Sequence, residues 1–126
     1  MSKKIIKTDK VASPIGPYNQ AVVIGNLIYT AGQIPLDQAG HMIPGSIKEQ
    51  TEQVIVNLKA VLEHAGSSLD KVVKATVFLK DLNDFAGMNE VYGKYFKAQT
   101  APARSTLEVA RIPKDSLVEI EVVAHI

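Results

Sequence analysis

Of the 14 basic residues in this chain only two are arginine, at positions 104 and 111. Arg104 opens an apolar, β-rich segment directly behind Ala101-Pro102-Ala103. A lone guanidinium in such a segment either pairs with a carboxylate of its own chain or takes a ligand carboxylate or phosphate in its planar fork. Strand alternation puts Arg104, Thr106 and Glu108 on one face and Ser105, Leu107 and Val109 on the other. Near the C-terminus Glu119 and Glu121 share a face against Val118, Ile120 and Val122, which taken alone is the pattern of a solvated strand face. If the last two strands form a hairpin turning near Lys114, Arg104 falls beside Ala124 and Glu119 lies ~17 Å away. A site using both would then need strong twist or a second subunit.

Two further positions could serve a ligand. Tyr18 follows Gly16-Pro17 and is held on a stiff loop, either closing a pocket or packing on its own domain. Gly32 ends a strand in Thr30-Ala31-Gly32-Gln33-Ile34-Pro35, where a glycine permits close backbone approach to a ligand or simply a bulge.

Other chemistries are excluded by what is missing. There is no cysteine, which removes disulfides, thiolate zinc sites and thiol nucleophiles. His41, His64 and His125 are far apart and lack metal-ligand spacing; His64 suits the negative end of a helix. No G-x-G-x-x-G or P-loop pattern occurs. A formal net charge of +1 is low for a phosphate-backbone binder, so nucleic acid is not expected as a partner. Lys3, Lys4, Lys7 and Lys10 are more simply read as protection of a short edge strand. No apolar run approaches membrane-spanning length, and the expectation is a cytoplasmic protein.

The elements that must position these residues fit one domain spanning all 126 residues, with 46% apolar and 21% charged composition. Ile5-Ile6 reads as a short strand. Ala21–Ile24 and Leu27–Thr30 form a hairpin about Gly25-Asn26. Ser46 and Glu49 make a capping box, and Ile47, Thr51, Val54, Ile55, Leu58, Val61, Leu62 and Ala65 recur at helical spacing before Gly66 stops the helix. Val72–Leu79 reads as a central strand covered on both faces. A second helix starts near Asn83 or Asp84, with Phe85, Met88, Val91, Tyr92, Tyr95 and Phe96 on one side. Strands over 103–112 and 117–124 end the chain, joined through Pro113-Lys114-Asp115. The order β-β-β-α-β-α-β-β gives an α+β domain with two helices on one face of a mixed sheet. The other face, drawn from Val22, Ile24, Val77, Phe78, Leu107 and Val109, has no cover within so small a chain, and self-association would bury it.

Several segments together resemble the Rid/YjgF family of reactive intermediate deaminases. They are Ile15-Gly16-Pro17-Tyr18-Asn19-Gln20-Ala21, Thr30-Ala31-Gly32-Gln33-Ile34-Pro35, Val73-Lys74-Ala75-Thr76-Val77-Phe78, Pro102-Ala103-Arg104-Ser105, and Ile112-Pro113-Lys114-Asp115 leading to Val118-Glu119-Ile120-Glu121. The likeness runs in order from about Ile5 to the C-terminus. It implies a chorismate-mutase-like fold, a homotrimer with sheets turned inward, and clefts between subunits. It further implies cofactor-free hydrolysis of 2-imino acids, such as 2-iminobutanoate and 2-iminopropanoate, to 2-oxo acids and ammonia. These imines are released by pyridoxal-phosphate enzymes.

Carried over by residue, the resemblance makes Arg104 the carboxylate clamp and Glu119 the group that orients or deprotonates water. Gly32 offers backbone contacts, Tyr18 closes the cleft and Asn89 occupies a cleft position. Two positions depart from many members: Ala31 stands where they have Ser, and Thr106 where they have Cys. The Ser hydroxyl is thus absent, while a backbone contact at residue 106 survives the change. A metabolite sensor using the same cleft is one alternative, although a pure carboxylate binder needs only the arginine. A ribonuclease or translation inhibitor, activities attached to the family's older names, is another; low net charge and the lack of an aromatic-basic stripe speak against it.

Overall fold

In the computed structural model, which describes residues 2–126, the two segments with the strongest local signals fold as read. The first helix, α1 (Ile47–His64), opens on the capping box: the Glu49 carboxylate accepts from the backbone N–H of Ser46 at 2.7 Å and from its hydroxyl at 2.8 Å. Its apolar stripe, Val54, Ile55, Leu58, Val61 and Leu62, is buried. Each such side chain contributes about 1.5–3 kcal/mol by leaving water. Gly66, at φ +89°, turns the chain out of the helix.

Strands β1 (Lys4–Ile6), β2 (Ala21–Ile24) and β3 (Leu27–Thr30) form an antiparallel meander, and the β2–β3 hairpin pairs Ile24 with Leu27 around Gly25. The remaining elements are β4 (Val72–Leu79), α2 (Phe85–Tyr95), β5 (Ala103–Glu108) and β6 (Val118–His125). One mixed six-stranded sheet results, in the order β1-β2-β3-β6-β4-β5. The element order and the α+β class are those expected from the sequence.

The last two strands are not a hairpin. β5 runs parallel to β4, with Arg104 opposite Ala75. β6 lies on the other flank of β4, antiparallel, with Val122 opposite Ala75 and Glu119 opposite Phe78. The chain after β5 passes around the end of β4, where the backbone N–H of Lys80 donates to Leu117 O at 3.0 Å. This connection also explains why β5 stops at Glu108 rather than continuing to Ile112: its partner strand ends at Leu79, and only one further bond, Val109 N–H to Leu79 O at 2.9 Å, follows.

Ala75, Val77, Leu79, Ile120, Val122, Ala124 and Ile28 point into one core with the helices. Val77 therefore belongs to the covered face and not, as expected, to the open one. The open face carries Ile5, Ile24, Leu27, Tyr29 and Leu107, all exposed, with Phe78, Glu119 and Glu121 among them. β4, expected to be covered on both faces, is covered on one only within the chain: Lys74, Thr76 and Phe78 remain part-exposed. Among the described residues no helix is long and apolar enough to cross a membrane.

Candidate functional site

Three buried polar side chains arrange the loops at one end of the sheet. Gln20 ties the 8–12 loop down, donating to Thr8 O and Ala12 O while its Oε1 accepts from Thr8 N–H at 2.7 Å. Asn57 of α1 donates to Ile34 O and Leu36 O. Gln50, one turn before the core stripe, accepts from Leu117 N–H at 2.8 Å. Such bonds satisfy loop backbone that would otherwise be buried unpaired.

Between these anchored loops lies a pocket of about 380 Å³. Its wall includes Tyr18, Ala31 and Gly32, three of the expected site residues, together with Ile15, Pro113 and Lys114. Tyr18 is set by its loop: its N–H donates to Gly16 O at 2.9 Å, Gly16 takes φ +122°, and its hydroxyl accepts from Ile15 N–H at 3.4 Å. Pro113 and Lys114 were not singled out from sequence as pocket residues. Their signal was the turn itself, since Lys114 and Asp115 both adopt left-handed backbone (φ 57° and 55°), an uncommon choice outside glycine. Lys114 Nζ reaches Gly40 O at 3.2 Å, and Arg111 clasps Asp115 at 2.8 Å.

Glu119 adjoins the pocket through Gly32, which it touches. Its carboxylate is half-buried on the open face, and none of the three ion pairs among the described residues involves it. Burial first, and the neighbouring Glu121 second, push its carboxyl above its ordinary range.

Arg104, Thr106 and Asn89 are elsewhere. Arg104 and Thr106 share the helix-side face of the edge strand β5, both half-buried. The Arg104 guanidinium lies 4.6 Å from the centroid of the Tyr92 ring and 5.6 Å from that of Phe85. Phe85, Asn89 and Tyr92 are spaced i, i+4, i+7 on α2, so exposed Asn89 lies on the same stripe that meets the arginine. Arg104 has no carboxylate partner among the described residues. The buried Tyr92 hydroxyl meets no partner at full hydrogen-bond geometry, and burial raises its phenol above the ordinary value against the charge and close approach of the Arg104 guanidinium. Sequence spacing marked Phe85 and Tyr92 as packing residues, and their stacking on Arg104 was not foreseen.

The register measures the gap between the two groups. From Arg104 to Glu119 is two strand spacings across β4 and three residues along β6, roughly 14 Å. The two side chains also leave the sheet on opposite faces. One chain thus holds an unpaired cation at its β5 edge and an unpaired carboxylate beside its pocket. No three metal-ligating side chains converge among the described residues.

A family model described as endoribonuclease L-PSP matches residues 8–126 of this small α+β domain. A RutC family protein of Pyrococcus abyssi is 57% identical over 126 residues, covering 99% of this chain and 98% of the relative. RidA from an Antarctic Psychrobacter superposes with a TM-score of 0.93 at 44% identity, covering 98% of this chain and 99% of that one. Escherichia coli TdcF, solved with bound serine, gives a TM-score of 0.91 at 43% identity and 98% coverage of both chains. The chain belongs to the Rid/YjgF family, within which RutC, RidA and endoribonuclease L-PSP are names carried by its relatives.

Proposed function

We propose that this protein hydrolyses 2-imino acids to 2-oxo acids and ammonia, in clefts completed between copies of the chain in a closed homotrimer. One observation carries the reading: a guanidinium without an anion and a half-buried carboxylate without a cation stand ~14 Å apart on the same sheet. Neither arrangement is favourable in an isolated chain, since part-buried charge is normally paired. Apposing the Arg104 edge of one copy to the Tyr18–Gly32 pocket of the next, with Glu119 beside it, gives both a role. The exposed apolar face supports the same assembly.

In this cleft Arg104 holds the substrate carboxylate through two parallel hydrogen bonds and fixes C2 of the imine. Glu119 accepts a proton from water as the water oxygen bonds to C2 of the protonated imine and the C=N π pair moves to nitrogen, giving a carbinolamine. The proton is then passed to nitrogen; as the carbinolamine hydroxyl returns its own proton to Glu119 and forms the C=O, the C–N bond breaks, and ammonia and the 2-oxo acid leave. A carboxyl held above its ordinary range is a better proton acceptor than an exposed one near neutral pH. Thr106 and Asn89 flank the clamp, while Tyr18 and Ala31 wall the side-chain end. The serine in the TdcF relative supports a ligand of amino-acid shape.

The test couples a threonine dehydratase, which generates 2-iminobutanoate, to a semicarbazide trap that reports the free imine. Loss of semicarbazone in proportion to added protein is the expected result. Imine decay at the spontaneous rate overturns deamination. Saturable binding of serine or 2-oxobutanoate under those conditions would leave a metabolite-binding trimer, and salt-sensitive RNA cleavage abolished by Arg104→Ala would move the reading to a nuclease.

A further inference from the structure

Gly16, Gly25, Gly40, Gly45 and Gly66 adopt positive φ, which accounts for glycine at each. Gly32 does not. Its backbone would admit any residue, so glycine there answers a different need. A Cβ placed on Gly32 would lie 2.8 Å from Cδ and 2.9 Å from Cγ of Glu119, with Oε2 in contact as well. Ordinary contacts at such a position are 3.4–4 Å.

The backbone on both sides has little freedom to yield. Gln33 N–H donates to Ile120 O at 2.9 Å, and Ile120 N–H returns a bond to Gln33 O at 3.2 Å. Gly32 and Glu119 each sit one residue before that bridge, on its diagonal. Ala31 N–H is tied to Gln20 O at 2.9 Å, and Ile120 is fully buried. An added methyl must therefore move the Glu119 side chain.

We infer that Gly32 is a positioning residue whose bare Cα is the seat of the Glu119 carboxylate, fixing where that group stands against the pocket wall. The inference rests on the proposed role of Glu119 as proton acceptor, and its structural half can be tested without it. Gly32→Ala displaces the carboxylate and leaves the Arg104 edge untouched. A misplacement near 1 Å lowers turnover ~10²-fold. The loss falls on kcat, with KM within about threefold because the carboxylate clamp is elsewhere.

The experiment is a double-mutant cycle on the full chain, with Gly32→Ala, Glu119→Ala and the double variant, read by thermal unfolding. Gly32→Ala is expected to shift Tm by different amounts in the parent and in the Glu119→Ala background, because only in the parent must the Glu119 side chain turn away from the added methyl. An equal loss in both backgrounds overturns the seat. If Gly32→Ala fails to fold, recovery of folding in the double variant supports the seat, and failure of both overturns it. Kinetics on 2-iminobutanoate then decide the functional half. A kcat loss with KM held supports positioning, and wild-type kcat in a variant that shows the Tm coupling overturns it. Absence of turnover in the wild-type protein refutes the proposed reaction while leaving the Tm result to stand by itself.

Discussion

The pocket end and the β5 edge hold their reactive groups by different means. At the pocket, the backbone that carries Tyr18, Gly32 and Glu119 is fixed by the Gln33–Ile120 bridge and the Gln20 and Asn57 anchors, and the Glu119 carboxylate rests against Gly32 without a hydrogen bond or ion pair of its own among the described residues. At the edge, Arg104 is held chiefly by two aromatic faces and by no ion pair among the described residues. Stacking fixes the plane of a guanidinium yet lets it slide and turn, whereas a hydrogen-bonded strand pair does not. The rigid end is suited to placing a proton acceptor, and the stacked end to adjusting to a ligand carboxylate. Changes at the first end should therefore appear in kcat and changes at the second in KM.

The sharpest way to break that contrast is Glu119→Gln, which removes the proposed proton acceptor and keeps the shape. A kcat decrease of ~10²–10⁴-fold with little change in KM is expected in the semicarbazide assay. Arg104→Ala should lower kcat/KM by about 10²–10³-fold, mainly through KM, with secondary structure and oligomeric mass unchanged. A loss confined to kcat would erase the distinction between the ends. Refolding Arg104→Ala and Glu119→Ala chains together tests whether the ends meet across copies. In a closed ring with random mixing, about one site in four has both native groups, so roughly a quarter of wild-type kcat/KM returns. Were both groups of each site drawn from one chain, none would return.

Two smaller effects sharpen the picture. Phe85→Leu removes one stacked face and should raise KM about two- to fivefold at constant kcat, the value of a partly exposed cation–π contact. Glu121→Gln removes the like charge that helps hold the Glu119 carboxyl up. A proton acceptor must be ionised to work, so activity falls as pH drops through its pKa. With Glu121 neutral that pKa is lower, and the acid limb of the kcat profile should move to lower pH. A limb that stays put would assign it to another group.

Much of this was readable in the residues because local physics decides it. The capping box at Ser46 and Glu49, the stripe of α1 and the tight turn at Gly25-Asn26 each follow from contacts within a few residues. The neighbours of β6 do not. Whether it pairs with β5 or slips between β3 and β4 depends on strands some 39 to 98 residues away, and an apolar run such as Val72–Leu79 carries the same pattern either way. The error over Val77 has the same origin, since the face a residue takes depends on which elements cover the sheet. The candidate site stands out in the sequence by residue type, through Arg104, Glu119, Tyr18 and Gly32. Its division into two ends does not, because that is a property of sheet order, and neither does the stacking of Arg104 on α2.

The turn at Pro113–Asp115 has one more consequence. Its three residues are exposed, two of them, Pro113 and Lys114, on the pocket's wall, and they hang between two buried posts, Ile112 and Ser116. None of the three belongs to the buried core cluster. Evolution, or a protein engineer, could rewrite this short span and retune which side chains the pocket admits without disturbing the scaffold. The left-handed backbone at its second and third positions narrows the alphabet to glycine, asparagine, aspartate and few others.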